Sequence, residues 1–166
     1  MSNVSDFLAR ISGNGKKGGM YKQYVTLLAD ELATEGARII KECEQEREYT
    51  HRTRNLVDSY GFAVYHDGAV IRKGFITSQP QASTTKKWHG KDYSGRSTIN
   101  DFFLHRHKEP NGMSLVIAAA MPYAEELETG KGIRRRYKVI SMAFDKLAAI
   151  KPQDCAVKMF NEKIYS

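Results

Sequence analysis

The sequence has few cysteines and no long apolar run, and each absence excludes a class of protein. Its 166 residues include two cysteines, Cys43 and Cys155, neither in a CxxC pattern nor beside a histidine. We therefore expect no disulfide framework, no zinc site and a reducing compartment. No segment approaches the roughly 18 apolar residues of a membrane helix, and the first residues lack the pattern of a secretion signal. The sequence predicts a soluble, non-secreted protein with no membrane partner.

Motifs for nucleophilic catalysis and cofactor binding are also lacking. Neither GxSxG nor a cysteine beside a histidine occurs,. Residues 13–18 match GxGxxG, but no predicted strand precedes them and no βαβ unit surrounds them, so we do not interpret them as a dinucleotide site. We expect no catalytic residues, no cofactor and no metal.

Two groups of side chains require a decision about metal binding. His105 and His107 form an HxH pair, which shares one face on a strand but diverges on the helix that we predict there. Glu125, Glu126 and Glu128 resemble part of a metal-dependent nuclease cluster, but such sites draw carboxylates from separate elements. We interpret the histidines as facing solvent and the glutamates as a solvated acidic turn, with a nuclease as the weakest alternative.

Positive charge is in excess, and it is concentrated in two stretches. The formal net charge is +7, from 26 Lys/Arg and 19 Asp/Glu. Residues 72–107 hold seven basic and two acidic side chains, and residues 131–138 hold five basic and no acidic ones. The rest of the chain is slightly acidic. Two local basic surfaces indicate an acidic partner, either nucleic acid or the acidic face of a protein.

The first half of the chain predicts a long helix and a hairpin. Between residues 20 and 47, apolar residues recur at three- and four-residue steps, with acidic residues on the opposite face,. A short helix that begins near Thr53 leads into two alternating segments joined by Asp67-Gly68. Asp-Gly favours a hairpin because both central residues of a type I′ turn need positive φ.

The second half predicts shorter helices around one more strand. Ser97 or Thr98 can cap a brief helix, residues 113–120 are apolar enough for a central strand, and a turn or short helix stops at Gly130,. A last helix is expected over residues 137–149. The whole order predicts an α+β fold with a long N-terminal helix, an antiparallel hairpin and two or three shorter helices.

The domain organisation follows from these elements. We expect a flexible arm over residues 1–19, a single α+β domain over residues 20–150 and a tail over residues 151–166. Residues 77–97 predict a long basic loop in which cations alternate with aromatic residues, a mixture suited to single-stranded nucleic acid. The candidate partner-contact residues of this loop are Lys86, Lys87, Trp88, Lys91, Tyr93 and Arg96.

A second group of candidate contact residues precedes the last predicted helix. Arg134, Arg135 and Arg136 would lie at its start. Positive charge at that position opposes the helix dipole. We therefore expect a partner to supply the counter-charge.

Two segments carry a resemblance to a known family. Residues 52–64 read RTRNLVDSYGFAV, and residues 120–130 read AMPYAEELETG. They resemble the head-tail joining or tail-completion proteins, the small neck proteins of long-tailed bacteriophages. In that family a Thr-x-Asn-Leu-x-x-Ser segment leads into the first hairpin, and a Pro-Tyr-Ala segment follows a strand and reaches Glu-x-Gly. The matching residues here are Thr53, Asn55, Leu56, Ser59, Pro122, Tyr123, Ala124, Glu128 and Gly130.

The resemblance implies a function without catalysis. It spans roughly residues 20–150, and the sequence departs from it in the basic loop and the extended C-terminus. It implies a structural virion protein that forms a ring, hexameric in expectation, between the head-completion ring and the tail tube. Its partners would be its own copies, the head-completion or connector protein and the major tail tube protein, with genomic DNA close by. It would be assembled in the host cytoplasm. The alternative function is a basic module that binds nucleic acid.

Overall fold

One long helix and a three-stranded antiparallel sheet form the framework, so the predicted α+β class is confirmed. The computed structural model describes residues 19–49, 54–78, 87–88, 91–131, 135–151, 153 and 155–159. Residues 1–18 of the predicted arm over residues 1–19, and most of the predicted tail, lie outside these residues. The helices are α1 (Gly19–Gln45), α2 (Asn55–Asp58), α3 (Gly95–Asp101), α4 (Ala124–Thr129) and α5 (Ser141–Ile150). The strands are β1 (Tyr60–His66), β2 (Ala69–Phe75), β3 (Lys87–Trp88), β4 (Lys91–Asp92) and β5 (Met113–Ala119).

β1 is the central strand of the sheet, whose order is β2-β1-β5 with both pairings antiparallel. The prediction that residues 113–120 form the central strand is therefore wrong. β5 lies at an edge, and Val116 is the one fully buried residue among its seven. β1 is buried from Tyr60 to Tyr65 because it has a neighbour on each side and packed side chains on each face.

The two faces of the sheet bury different sets of apolar side chains. Phe62 and Val64 of β1 pack with Ile39 and Ile40 of α1, and Ala143 of α5 joins this cluster. On the opposite face, Ala63 and Tyr65 of β1 pack against α3 and against the π-helical turn Phe102–Arg106, which continues α3. Successive strand residues point to opposite faces, so one strand serves both cores.

The predicted hairpin turn is confirmed. Asp67 has φ 49° and Gly68 has φ 80°, the positive values that a type I′ turn requires,. The Asp67 carboxylate accepts a hydrogen bond from the backbone N–H of Gly112 at 2.8 Å, and its own N–H donates to the Gly112 carbonyl at 2.9 Å. The turn between β1 and β2 therefore also fixes the approach to β5.

The predicted cap of the third helix is wrong. α3 begins at Gly95, and Ser94 is its N-cap, with its hydroxyl accepting from the backbone N–H of Ser97. Gly95 lies against the backbone of α2, where an added Cβ would come within 2.1 Å of the Asn55 carbonyl oxygen. Long-range packing thus moves the start of the helix. The expected loop over residues 77–97 also contains the short pair β3 and β4.

The histidine prediction is half correct. His105 is exposed, whereas His107 is buried with its ring against Tyr65 and Phe102. His107 Nε2 lies 2.6 Å from Glu109 Oε1. The expectation that both histidines face solvent is wrong because the chain leaves the π-helical turn after residue 106 and folds back onto β1. Within the described residues, no helix combines the length and apolarity that a membrane crossing requires.

Candidate functional site

Three segments that are distant in sequence supply the buried side chains of a third apolar cluster, which we call the junction cluster. Its buried members are Leu56 of α2, Met121 after β5, Ala124 of α4 and Val139 before α5. Partly buried side chains pack around it, including three tyrosines: Tyr49, Tyr93 and Tyr123. The cluster lies at the Tyr60 end of β1, since the Tyr60 hydroxyl donates to the Val139 carbonyl at 3.2 Å.

The junction cluster brings the two basic stretches together. Tyr93, which lies within the first stretch, packs against it, and Val139 directly follows the second. We call this region, with Tyr93, Arg135, Arg136 and the aromatic side chains around them, the basic end. Lys86, Arg134 and the side chains of Lys87, Trp88 and Lys91 lie outside the described part of the chain.

Arg96 forms internal contacts. Its guanidinium lies 3.9 Å above the Phe75 ring, and Nη2 donates to Thr77 Oγ1 at 2.8 Å. Thr77 in turn donates to the buried carboxylate of Asp58 at 2.8 Å. Burial lowers the pKa of Arg96, and the charge of Asp58 opposes that shift. Arg96 therefore joins α3 to the end of β2 and supplies positive charge near a buried carboxylate, which needs such compensation.

The arginines before α5 have counter-charges within the chain. α5 begins at Ser141, not at residue 137, so Arg135 and Arg136 lie ahead of its first turn and the argument from the helix dipole is wrong. Arg135 Nη2 lies 2.6 Å from Glu48 Oε2, and Arg136 Nη2 lies 3.3 Å from Glu128 Oε1. The expectation that a partner must supply the counter-charge is therefore corrected. Both arginine side chains are still exposed, by 64% and 61%.

Aromatic rings lie beside Arg135. Its guanidinium carbon is 5.7 Å from the centroid of the Tyr137 ring, and Tyr137 meets Tyr49 edge to face at 6.2 Å. Burial, and secondarily the charge of Glu44, raises the pKa of Tyr49, so its hydroxyl stays neutral at physiological pH. The arrangement presents one exposed cation beside packed aromatic side chains,.

Glu128 is not part of a solvated acidic turn, contrary to prediction. Its Oε2 accepts from the backbone N–H groups of Val139 and Ile140 at 2.7 Å each and of Ser141 at 3.2 Å. Burial acts to raise the pKa of Glu128, but hydrogen bonds from Ser141 and from the backbone of residues 139–141 outweigh it and hold the pKa below its usual value.

The other two glutamates do not share this role. Glu125 is exposed and Glu126 is half-buried. In the described residues, no group of three or more His, Cys, Asp or Glu side chains is arranged to hold a metal ion.

The residues that carry the family resemblance also meet here. Leu56 and Ala124 belong to the junction cluster. Asn55 and Ser59 are buried beside it, and the Ser59 carbonyl accepts from the N–H of Ala120 at 3.1 Å. The two segments of the resemblance are thus joined through space, with Thr53 outside the described residues. The contacts that join them are apolar packing and a backbone hydrogen bond.

Sequence reasoning missed the acidic partners at the basic end. Glu48 lies 87 residues from Arg135, so no local pattern relates them. A signal for Glu128 was present, because Ile140, the residue before α5, has an apolar side chain that cannot cap the helix,. Comparison of the chain with protein-family models, with curated proteins and with solved structures finds no match.

Proposed function

We propose that the chain is a structural subunit of the bacteriophage neck or upper tail, of the tail-completion class, and that its basic end docks on neighbouring subunits. The proposal starts from the resemblance in residues 52–64 and 120–130. In this role the chain forms a ring that joins the head-completion ring to the tail tube. It carries no catalytic residue and acts through contacts alone.

One observation carries this proposal: the two basic stretches and the residues of the resemblance converge on the junction cluster. Tyr93 and Val139 bring the basic stretches, while Leu56 and Ala124 come from the two segments of the resemblance. A contact surface supported by packed side chains keeps its shape when a partner binds. Arginine and tyrosine are also the residues that most often dominate the binding energy of protein interfaces.

The position of the tyrosines favours protein docking over the binding of nucleic acid. Tyr93 and Tyr123 are half-buried against the junction cluster, and Arg96 lies over Phe75. Proteins that bind single strands stack successive bases on exposed aromatic faces. At the basic end, these aromatic side chains pack instead against other parts of the same chain.

The sheet offers a route to ring formation. Within the described residues, β2 and β5 lie at the two edges of the three-stranded sheet. An edge strand can pair with an element of a neighbouring copy. Contacts between two different surfaces of identical subunits produce a ring when the rotation closes. The edges and the basic end together provide the separate surfaces that such a ring needs.

The assembly state and location of the chain test the proposal. Native mass spectrometry of the purified chain, alone and with the head-completion and tail tube proteins of the same phage, should reveal a closed oligomer or a complex with one of them. Immunogold labelling of phage particles should place the chain between head and tail. A chain that stays monomeric with these proteins and is absent from particles would refute the proposal.

The binding of nucleic acid is tested separately. An electrophoretic shift series at rising salt should detect little binding, whereas a nucleic-acid module would bind tightly at low salt and lose affinity steeply as salt rises. A cleavage assay with Mg²⁺ or Mn²⁺ addresses the nuclease alternative. Tight, salt-sensitive binding by a monomer, or any cleavage of the substrate, would overturn the structural role.

A further inference from the structure

The start of α5 lacks a capping side chain of its own. Its N-cap residue is Ile140, which makes no side-chain cap, and its first turn contains no acidic residue. The first N–H groups of any helix have no acceptor within the helix. At α5 the first of these donors is the N–H of Ser141, a half-buried residue next to the junction cluster, so its acceptor has to come from elsewhere in the fold,.

Glu128, from a different helix, accepts the first of these donors, the N–H of Ser141, together with the N–H groups of the two residues that lead into α5. Its carboxylate accepts hydrogen bonds from three N–H groups that come 11 to 13 residues later in the chain, those of Val139, Ile140 and Ser141. One oxygen, Oε2, takes all three bonds, while Oε1 faces the Arg136 guanidinium. The side chain is 16% exposed, so solvent provides little competition for these bonds.

The segment between α4 and α5 is tied to α4 at several further points. The Tyr137 N–H donates to the Leu127 carbonyl at 2.8 Å, and Arg136 Nε donates to the Glu128 carbonyl at 2.6 Å. Gly130, with φ 75°, ends α4 in the left-handed conformation that glycine adopts readily,. It also allows Arg136 to approach closely, because an added Cβ would lie 3.3 Å from the Cβ of Arg136. Residues 135–141 are therefore held against the C-terminal end of α4.

The two arginines have different parts in this arrangement. Arg136 bonds twice to Glu128, once to its carbonyl and once to its carboxylate, so it belongs to the tie itself. Arg135 points to Glu48 at the end of α1 and is 64% exposed. Its contact is an exposed ion pair, which exchanges readily for a partner's carboxylate.

We infer that Glu128 is a positioning residue that fixes residues 135–141 and so determines where Arg135 is presented at the basic end. The anchoring by Glu128 stands on the geometry alone. The contact of Arg135 with a partner subunit rests on the proposed function. The two parts can therefore fail separately.

Amide hydrogen exchange measured by NMR on the full chain tests the anchor. Glu128→Ala should speed exchange of the Val139, Ile140 and Ser141 amides by about tenfold or more, since hydrogen bonds to a charged acceptor are lost. Glu128→Gln, which keeps an acceptor but removes the charge, should give a smaller increase at the same amides. Glu125→Ala and Glu125→Gln, on the exposed side of the same helix, are the matched controls and should leave those amides unchanged.

The pattern of exchange distinguishes anchoring from general stabilisation. Faster exchange at these three amides with unchanged amides in β1 supports the anchor. Unchanged rates, or an equal increase throughout β1, would overturn it. Should Glu128→Ala fail to fold, the smaller shift in Glu128→Gln decides the same question.

Assembly with the neck proteins tests the part that depends on function. If exchange rises locally in Glu128→Gln and oligomer formation falls with it, both parts are supported. If exchange rises locally and assembly is normal, the anchor stands and the presentation of Arg135 is refuted. If assembly fails with unchanged exchange at residues 139–141, the anchor is refuted.

Discussion

At one end of β1 the structure is set by neighbours in sequence, and at the other end by residues far apart in the chain. The hairpin end is the Asp67-Gly68 turn, where two adjacent residues adopt the positive φ that a type I′ turn requires,. Two hydrogen bonds between Asp67 and Gly112 then attach this local turn to the approach to β5. The basic end joins three distant segments through the buried side chains of the junction cluster, and it pairs Arg135 with Glu48, 87 residues away. The comparison teaches that the candidate contact surface depends on the completed fold, whereas the hairpin depends chiefly on turn chemistry.

The largest effect is expected where α3 packs on α2 at the basic end. In Gly95→Ala the new Cβ would lie 2.1 Å from the Asn55 oxygen and 2.9 Å from the Ser59 nitrogen, so the backbones must separate. We expect the free energy of unfolding to fall by about 3 kcal/mol, measured by urea denaturation. Gly19→Ala, with no atom within 4 Å of its Cβ, is the control and should change it by less than about 0.5 kcal/mol,. Equal effects would contradict the packing described.

A smaller effect is expected at the hairpin end. Asp67→Ala removes both the acceptor of the Gly112 N–H and a side chain that tolerates positive φ,. We expect the free energy of unfolding to fall by about 1–2 kcal/mol, measured as for Gly95→Ala. Asp67→Asn keeps an oxygen acceptor and tolerates the turn, so it should cost less. A loss as large in Asn as in Ala would show that the charge, not the turn, matters.

The fold lowers the pKa of Glu128, as it does those of Glu42 and Asp101, so the contribution of Glu128 to the acid dependence of stability is found by comparing wild type with Glu128→Gln. Its folded pKa lies below its ordinary value, so its contribution is present at neutral pH and is lost as the pH falls through the folded pKa,. Among the described residues, two ionisable side chains interact with the Glu128 carboxylate. Arg136 lies 3.3 Å from it, and Tyr60 of β1 is close enough to be influenced by its charge. Urea denaturation from pH 7 to pH 3 should therefore show that the free energy of unfolding decreases with acid in wild type and decreases less in Glu128→Gln. Parallel curves would contradict the assignment.

The smallest effects on stability are expected from two matched ion pairs. Arg72 lies 2.8 Å from Asp30 and Arg135 lies 2.6 Å from Glu48, and in each pair both side chains are well exposed. Arg72→Gln and Arg135→Gln should each lower the free energy of unfolding by less than about 1 kcal/mol, measured by urea denaturation. A loss of several kcal/mol from Arg135→Gln would make it a structural residue and remove it from the contact surface.

Local patterns predicted the elements whose causes are local. The apolar period of α1 and the Asp67-Gly68 turn were read from the sequence because both depend on residues within one or two turns of chain,. The edge position of β5 was not predicted, because the composition of a strand indicates how buried it is and not how many strands pair with it. His107 was placed in solvent because nothing near it indicates its contact with Tyr65.

The candidate site was predictable only as a list of charges. Sequence counting found the basic stretches, but it could not determine that Arg96, Arg135 and Arg136 each bond to a partner within the fold. Thr77 and Glu128 accept hydrogen bonds from Arg96 and Arg136, and Asp58 accepts one from Thr77. Such contacts exist only after distant segments have met.

Assembly of phage particles with charge-reversed protein tests the central claim most directly. A phage that lacks its own copy of the gene is supplied with wild type, Arg135→Glu or Arg38→Glu, and tailed particles are counted by electron microscopy. Arg38 is the matched control because it is an exposed, ion-paired arginine on α1, away from the basic end and the sheet edges. Circular dichroism of each purified variant confirms that it is folded. We predict normal yields with wild type and Arg38→Glu and few or no tailed particles with Arg135→Glu. Normal yields with a folded Arg135→Glu protein would contradict the claim that the basic end is a docking surface.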